Sequence, residues 1–510
     1  FSAPTPAQLA QLAGAPQPDR STAAASPTAG PVGPLVLPPI AHWLATWSGP
    51  GIPAFTQARL VTTPAGLTAD QLTRALQAVF DTHAGLRQTV TVRAPGVWTA
   101  EIGPVGTLRA PDCLRVVTDD TDDPTELLLD QAPLARARLD PTRGRTVQAV
   151  FVDRGRRSGR LLLIAHHLVI DEVSWQILLP DLARAVEQLK AGDAPRLDPV
   201  PTPLRAWTDR LATTAYHPDT VATLDRWIDA RSALPGLQLD PGRDVTARAR
   251  HRVVRLTAEQ TAPLLDAVPQ AVNAGVNDVL LTALVLGHCA ATDRSPLTID
   301  LEGHGREEPD SDWDLSRTVG WLTSLCPVRL DPGDIQLGNA LAGGTDAGRS
   351  LKHVKEQLRA AGRQALAAGQ LRYLNAATAA QLAGPPPTVL WNYLGRPAAV
   401  IGGDWTMAAE AGALGAADAD DLPLTHPIEV TAELRAGPSG PELEAAWTWS
   451  PAVADDLVDD WVESWIEALD GLVLWARDGD EAGATPSDFD LVTLDQTQIS
   501  MLEQMWKDRQ

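Results

Sequence analysis

The chain has 510 residues, too many for one ordinary core, so two to four lobes or domains are expected. Its 42 Lys and Arg against 64 Asp and Glu give a net charge of −22, a field that argues against nucleic acid or an anionic membrane surface as partner. A 44% hydrophobic content suits a large core, no run approaches about 20 apolar residues, and three cysteines (Cys113, Cys289, Cys326) without a close pair exclude a disulfide scaffold and fit a reducing cytoplasm.

The chain begins at Phe1 without a signal-like start and reads as part of something longer. Residues 1–15 read as a short helix capped by Thr5 and ended by Gly14. Residues 16–34, rich in Pro, Ala, Ser, Thr and Gly, read as a linker. An N-terminal α/β lobe is expected over 35–205. It has an amphipathic helix at Thr68–Thr82, with Leu72, Leu76 and Phe80 on one stripe, and a hairpin of strands Thr146–Asp153 and Arg160–Ala165. A second α/β lobe is expected over 206–484. Its main elements are a helix at Val276–Cys289, strands at Leu297–Leu301 and Leu443–Ser450, and a Trp-bearing helix at Asp455–Trp475. Acidic runs at 119–123 and 418–421 read as solvated loops, and 485–510 as a polar tail.

Four clusters carry chemistry. The densest is AHHLVIDEVSW, Ala165–Trp175, between an apolar strand and a helical pattern that Asp171 or Ser174 caps and Pro180 kinks or restarts. At a strand end, neighbouring side chains point to opposite faces, so one of His166 and His167 faces a cleft and the other is internal. That divergence argues against a two-His metal site. The adjoining helix N-terminus favours developing negative charge. The second cluster is LEGHGREE, Leu301–Glu308, where two glycines force a tight turn at His304 and Arg306, and Glu302 ends a strand. The third, SRTVGWLTSLCPVRL, puts Trp321 at a Gly-centred turn before an apolar strand. The fourth, VLWNYLGR, interrupts an apolar strand with Asn392 and Tyr393. The bland alternatives are core-edge histidines for the first cluster, a solvated charged turn for the second and an edge-strand aromatic for the fourth; taken alone, the His block still favours a functional role, whereas the second cluster favours the solvated turn. No Gly-rich phosphate loop is present.

In this order the four clusters resemble the condensation superfamily of nonribosomal peptide synthetases, and within it the epimerization domains. The HHxxxDxxS pattern over His166–Ser174 is common to the superfamily. EGHGRE, VGW and WNYLG are the epimerization versions, PPIAHW at 38–43 is similar to the family's opening PIQxWF, and NDVLLTALVLG to its DxLLxAxG helix. The resemblance covers about residues 35–500. It implies two chloramphenicol-acetyltransferase-like α/β lobes in a V, with a tunnel at the seam. It also implies His167 and Glu302 as the acid/base pair and His166 and Asp171 as holders of the loop, beside Ser174, Trp175, His304, Arg306 and Trp321. Asn392 and Tyr393 would line the tunnel, with the Tyr393 hydroxyl reaching the enolate oxygen.

The implied reaction is epimerization at Cα of an L-aminoacyl or peptidyl thioester. It needs no metal and no cofactor of the domain's own, because the substrate arrives on the phosphopantetheine of a carrier domain. Inversion needs two groups with pKa values near the working pH, and a His with a desolvated Glu is a suitable pair. FSAPTPAQLAQLAG resembles the last helix of a peptidyl carrier domain. The partners implied are that upstream carrier and a downstream condensation module, toward which 485–510 leads. The sequence departs from the pattern at Glu172, where the superfamily usually has Gly, at Leu322 and Cys326, where aromatics are common, and in LRYLN at 371–375, a reduced form of PxxGxGYG. The rival readings are a condensation-type acyltransferase forming an amide bond and a catalytically silent docking domain.

Overall fold

A computed structural model of the chain describes residues 30–47, 55–231, 237–307, 313–396, 404–414, 421–478, 482–489 and single positions between 494 and 501. The expected helix at 1–15, most of the 16–34 linker, the acidic run at 418–420 and most of the tail lie outside the described residues.

The molecule is mixed α/β, built on open sheets. The thirteen strands among the described residues are β1 (Gly33–Leu35), β2 (Thr56–Thr62), β3 (Gln88–Ala94), β4 (Val97–Ile102), β5 (Leu114–Thr118), β6 (Val147–Asp153), β7 (Arg160–His166), β8 (Arg250–Leu256), β9 (Leu297–Gly303), β10 (Ser324–Leu330), β11 (Val389–Gly395), β12 (Ile428–Gly437) and β13 (Gly440–Trp449). The principal helices are α1 (Pro39–Ala45), α2 (Ala69–Thr82), α3 (Thr125–Arg136), α4 (Glu172–Lys190), α5 (Leu204–Thr214), α6 (Val276–Thr292), α7 (Thr345–Gly362) and α8 (Asp455–Asp478).

The N-terminal lobe is organised by the sheet β2-β7-β6-β5. Near-continuous apolar runs in β6 and β7 suit a sheet covered on both faces. Leu161, Leu163 and Ala165 face the core made by α2 and α4, whereas Leu162 and Ile164 face the one made with α3. A reciprocal capping box between Thr68 and Gln71 starts α2. Gly33 and Pro34, expected in the linker, already pair with Ile102 and Glu101 in the small sheet β1-β4-β3.

The C-terminal lobe carries the sheet β10-β9-β11-β12-β13-β8, in which β11 runs parallel to both β9 and β12. Its core is tightened by α6 against α8. The Trp461 and Trp465 indoles donate to the Leu284 and Leu280 carbonyls. Any Cβ at Gly287 would come within 2.8 Å of the Trp465 backbone nitrogen. Among the described residues no single helix is long and apolar enough to cross a membrane.

Two segments of the C-terminal half cross to the N-terminal lobe, so the lobes are not simply successive halves of the sequence. Val319 and Trp321 enter the N-terminal core, as does Trp405. Residues 405–408 extend the β2 edge through the backbone: Trp405 donates to the Thr62 carbonyl, Thr62 to the Thr406 carbonyl, and Ala408 to the Leu60 carbonyl. Arg160 clamps both oxygens of Glu410 at 2.8–3.0 Å. An otherwise open sheet edge is thereby paired and covered.

Candidate active site

A cavity of about 1050 Å³ lies at the seam between the lobes. One wall is β2, the loop after β7 and the start of α4; the other is β9, β11 and β12.

His167 stands on the first wall. The strand-end alternation sends His166 inward, where it is 2% exposed and its Nδ1 accepts from the Leu168 amide, and leaves His167 facing the cavity. The His167 ring stacks on Phe55 at 4.7 Å and meets Trp321 at 4.5 Å. Its Nε2 lies 2.9 Å from the Gln57 side-chain amide. Burial drives its pKa down from 6.5 to about 4; Arg59 adds to that fall, while Asp171 and nearby backbone groups oppose it.

The loop is held by a clamp that joins three distant motifs. Asp171 caps α4 by accepting from the Ser174 amide at 2.8 Å and hydroxyl at 2.7 Å. Arg306 grips both Asp171 oxygens, at 2.8 and 2.9 Å, and the Leu322 amide adds a fifth donor at 3.0 Å. Ser174 Oγ accepts from the Gly320 amide at 3.2 Å, with the Gly320 carbonyl oxygen 3.0 Å away. That fixes the turn which lays Trp321 over His167. Gly305 makes the approach feasible: its φ is +65°, and a Cβ there would lie 1.6 Å from the Leu322 carbonyl oxygen. Asp171 and Arg306 are both nearly buried, at 6% and 7% side-chain exposure, so each depends on the other for compensation.

Glu302 stands on the second wall. Along β9, Leu297, Ile299 and Leu301 face the C-terminal core, which turns Thr298, Asp300 and Glu302 to the other face. Burial, reinforced by the carboxylates of Glu429 and Asp300, pushes the Glu302 pKa up from 4.5 to about 7. Glu429 is held beside it by the Thr425 amide and hydroxyl and the His426 amide. Asp300 pairs with His426 Nε2 at 3.0 Å.

Of the residues singled out from the sequence, His167, Glu302, Trp175, Trp321 and Asn392 line the cavity. Asp171, Ser174 and Arg306 form the clamp behind it. His304 is exposed, its Nδ1 accepting from the Arg306 amide, so it shapes the turn and does not face the cavity. Tyr393 departs most from expectation. On β11, Leu390, Asn392 and Leu394 point to the cavity, while Val389, Trp391 and Tyr393 pack on the C-terminal core. One residue of register separates Asn392 from Tyr393, and the strand period places the hydroxyl on the wrong face to line the tunnel.

Glu172 lines the cavity and forms an ion pair with Arg59, whose guanidinium lies 5.5 Å over the Trp175 ring. Among the wall residues that escaped the sequence reading are Gln57 and Arg59 on β2 and Glu429 on β12. Gln57 and Arg59 alternate with Ala58 in FTQARLVT, and Glu429 alternates with Val430 in IEVTAEL, so each passes for the solvent face of an ordinary strand. Among the described residues no three His, Cys, Asp or Glu side chains converge to hold a metal ion.

Comparison with known proteins places these features in context. The sequence profile of the condensation domain matches residues 42–385. Chondramide synthase cmdD of Chondromyces crocatus is 33% identical over 92% of this chain and 12% of its own length. A linear gramicidin synthase of Brevibacillus parabrevis is 32% identical over 91% of this chain and 6% of its own. The chain thus spans only a small part of such relatives. Among solved structures, the epimerization domain from the third module of tyrocidine synthetase B superposes with a TM-score of 0.74, at 22% identity over 87% of this chain and 98% of that one. The condensation domain of the Monacolin K polyketide synthase gives 0.62 at 16% identity, over 89% of this chain and 98% of that one. At such identities these superpositions establish a shared fold.

Proposed function

The chain belongs to the condensation-domain family, and from that premise we propose that it is an epimerization domain of a nonribosomal peptide synthetase, inverting Cα of an L-aminoacyl or peptidyl thioester brought by a carrier domain. The observation that carries this reading is the pairing of His167 and Glu302 on opposite walls of one cavity, with burial moving their pKa values to about 4 and about 7. Burial disfavours the charged form of each, so it lowers one and raises the other. Between those values the major form has a neutral His167, able to accept a proton, and a protonated Glu302, able to give one. The separation of the two values favours that form over imidazolium and carboxylate.

In the proposed step His167 takes the Cα proton from one face, and the electron pair of the C–H bond moves into the thioester carbonyl as an enolate. Glu302 returns a proton to Cα from the other face, leaving imidazolium and carboxylate, which re-equilibrate through solvent before the next turnover. Asn392 lines the space between, with an amide able to donate to the enolate oxygen. The pantetheine arm tethers the substrate, so weak docking of the carrier suffices. No metal or cofactor of the domain's own is assigned a role.

The test is to present L-aminoacyl and L-peptidyl thioesters on a carrier domain and follow both Cα configuration and release. An L/D mixture still bound to the carrier is the expected result. Amide-bond formation with an acceptor thioester would support the condensation reading. Neither event, with retained carrier binding, would support a docking role.

A further inference from the structure

Gln57 has no part in the chemistry above, yet it touches the nitrogen on which that chemistry depends. It sits on β2, opposite Ala165 of β7, and its side chain spans the gap between two rings. The Trp175 indole Nε1–H donates to Gln57 Oε1 at 2.9 Å, and Gln57 Nε2 lies 2.9 Å from His167 Nε2. An indole N–H can only donate, so the carbonyl end of the amide must face Trp175. The NH₂ end then faces His167, and because that group too can only donate, His167 Nε2 must accept.

We propose that Gln57, oriented by Trp175, is a positioning residue that holds His167 as the Nδ1–H tautomer with its lone pair on Nε2. This rests on the reading of His167 as the proton acceptor. A proton on Nε2 would set two donors against each other, and flipping the amide cannot relieve the conflict, because its NH₂ would then meet the indole N–H. Gln57 therefore occupies the lone pair until the substrate Cα–H takes it over, and it favours return of the proton after inversion. The low pKa of His167, set first by burial, acts in the same sense. The charged groups that act on the ring are Asp171 at the start of α4 and Arg59 on β2, and Glu172 and Glu302 line the same cavity. None of them supplies a donor to Nε2 among the described contacts.

The test is ¹⁵N NMR of the imidazoles in the histidine-labelled chain, with His167→Ala to assign the signal, alongside the pH–rate profile for epimerization. Wild type should show an unprotonated Nε2 at neutral pH. In Gln57→Glu a carboxylate accepts from both rings, so the Nε2–H signal should appear at neutral pH. The acidic limb should then move up by more than about one pH unit. Trp175→Phe removes the orienting donor and should give a mixture of tautomers even if the Gln57 variant folds poorly. Gln57→Leu should lower kcat and leave KM nearly unchanged. A wild-type ring protonated on Nε2, or a Gln57→Glu variant with an unmoved signal and limb, overturns the proposal. Because the NMR signal does not depend on turnover, absence of epimerase activity would defeat the functional reading without deciding the tautomer.

Discussion

The two walls of the cavity meet the same physical force with opposite results. On the N-terminal wall, aromatic rings and the clamped loop desolvate a base whose charged form is a cation, so His167 becomes a stronger acid when protonated. On the C-terminal wall, desolvation acts on a group whose charged form is an anion, and nearby carboxylates add to it, so Glu302 becomes a weaker acid. The lesson is that one dry cavity can produce a complementary acid/base pair, provided its two ionisable groups have opposite charge types.

The largest expected effect breaks the first wall. His167→Ala should lower epimerization by about 10²–10⁴-fold while leaving the unfolding midpoint near wild type, as read by chiral analysis of the released substrate and by thermal melts. Unchanged activity would remove His167 from the mechanism.

Breaking the second wall with Glu302→Gln should cost a similar or somewhat smaller factor, within about 10²–10⁴. In deuterated water this variant should differ from His167→Ala in label wash-in at Cα, because each retains the base on only one face. Inversion at the normal rate by Glu302→Gln would leave the second wall without a proton donor.

The clamp between the walls offers a control of another kind. Arg306→Ala strands the buried Asp171 carboxylate and should destabilise the fold by about 3–5 kcal/mol, measured by denaturant unfolding. Activity lost without loss of stability would mean that Arg306 acts on substrate instead.

A finer test sharpens the comparison through pH. With neutral His167 and protonated Glu302 as the working form, kcat/KM should rise through about 4 and fall through about 7. Glu429→Gln removes an anion that helps hold the Glu302 pKa up, so the descending limb should move to lower pH, by less than about one unit. The ascending limb, set by Arg59, Asp171 and the burial of His167, should stay in place. The smallest effect is expected for Tyr393→Phe, under about twofold in kcat, because the phenol packs on the C-terminal core.

Much of this molecule follows from local sequence. Thr68 and Gln71 make a capping box wherever they stand in that spacing, and LLLIA with its turn and partner strand makes a hairpin because alternate and continuous apolar patterns suit a covered sheet. The sequence also separates His166 from His167, since strand alternation is a property of the backbone. Tyr393 shows the limit of that rule: a strand is legible, but which of its faces meets the cavity depends on the partners of β11. Gln57, Arg59 and Glu429 were hidden for the same reason. Only the packing of one lobe against the other turns an apparent solvent face into the wall of a site. The clamp of Asp171, Ser174, Arg306, Gly320 and Leu322 joins residues up to 151 positions apart, and no local pattern encodes such a contact. Sequence determined the elements and the ionisable groups; the tertiary structure decided which groups share a cavity, and burial there set their proton affinities.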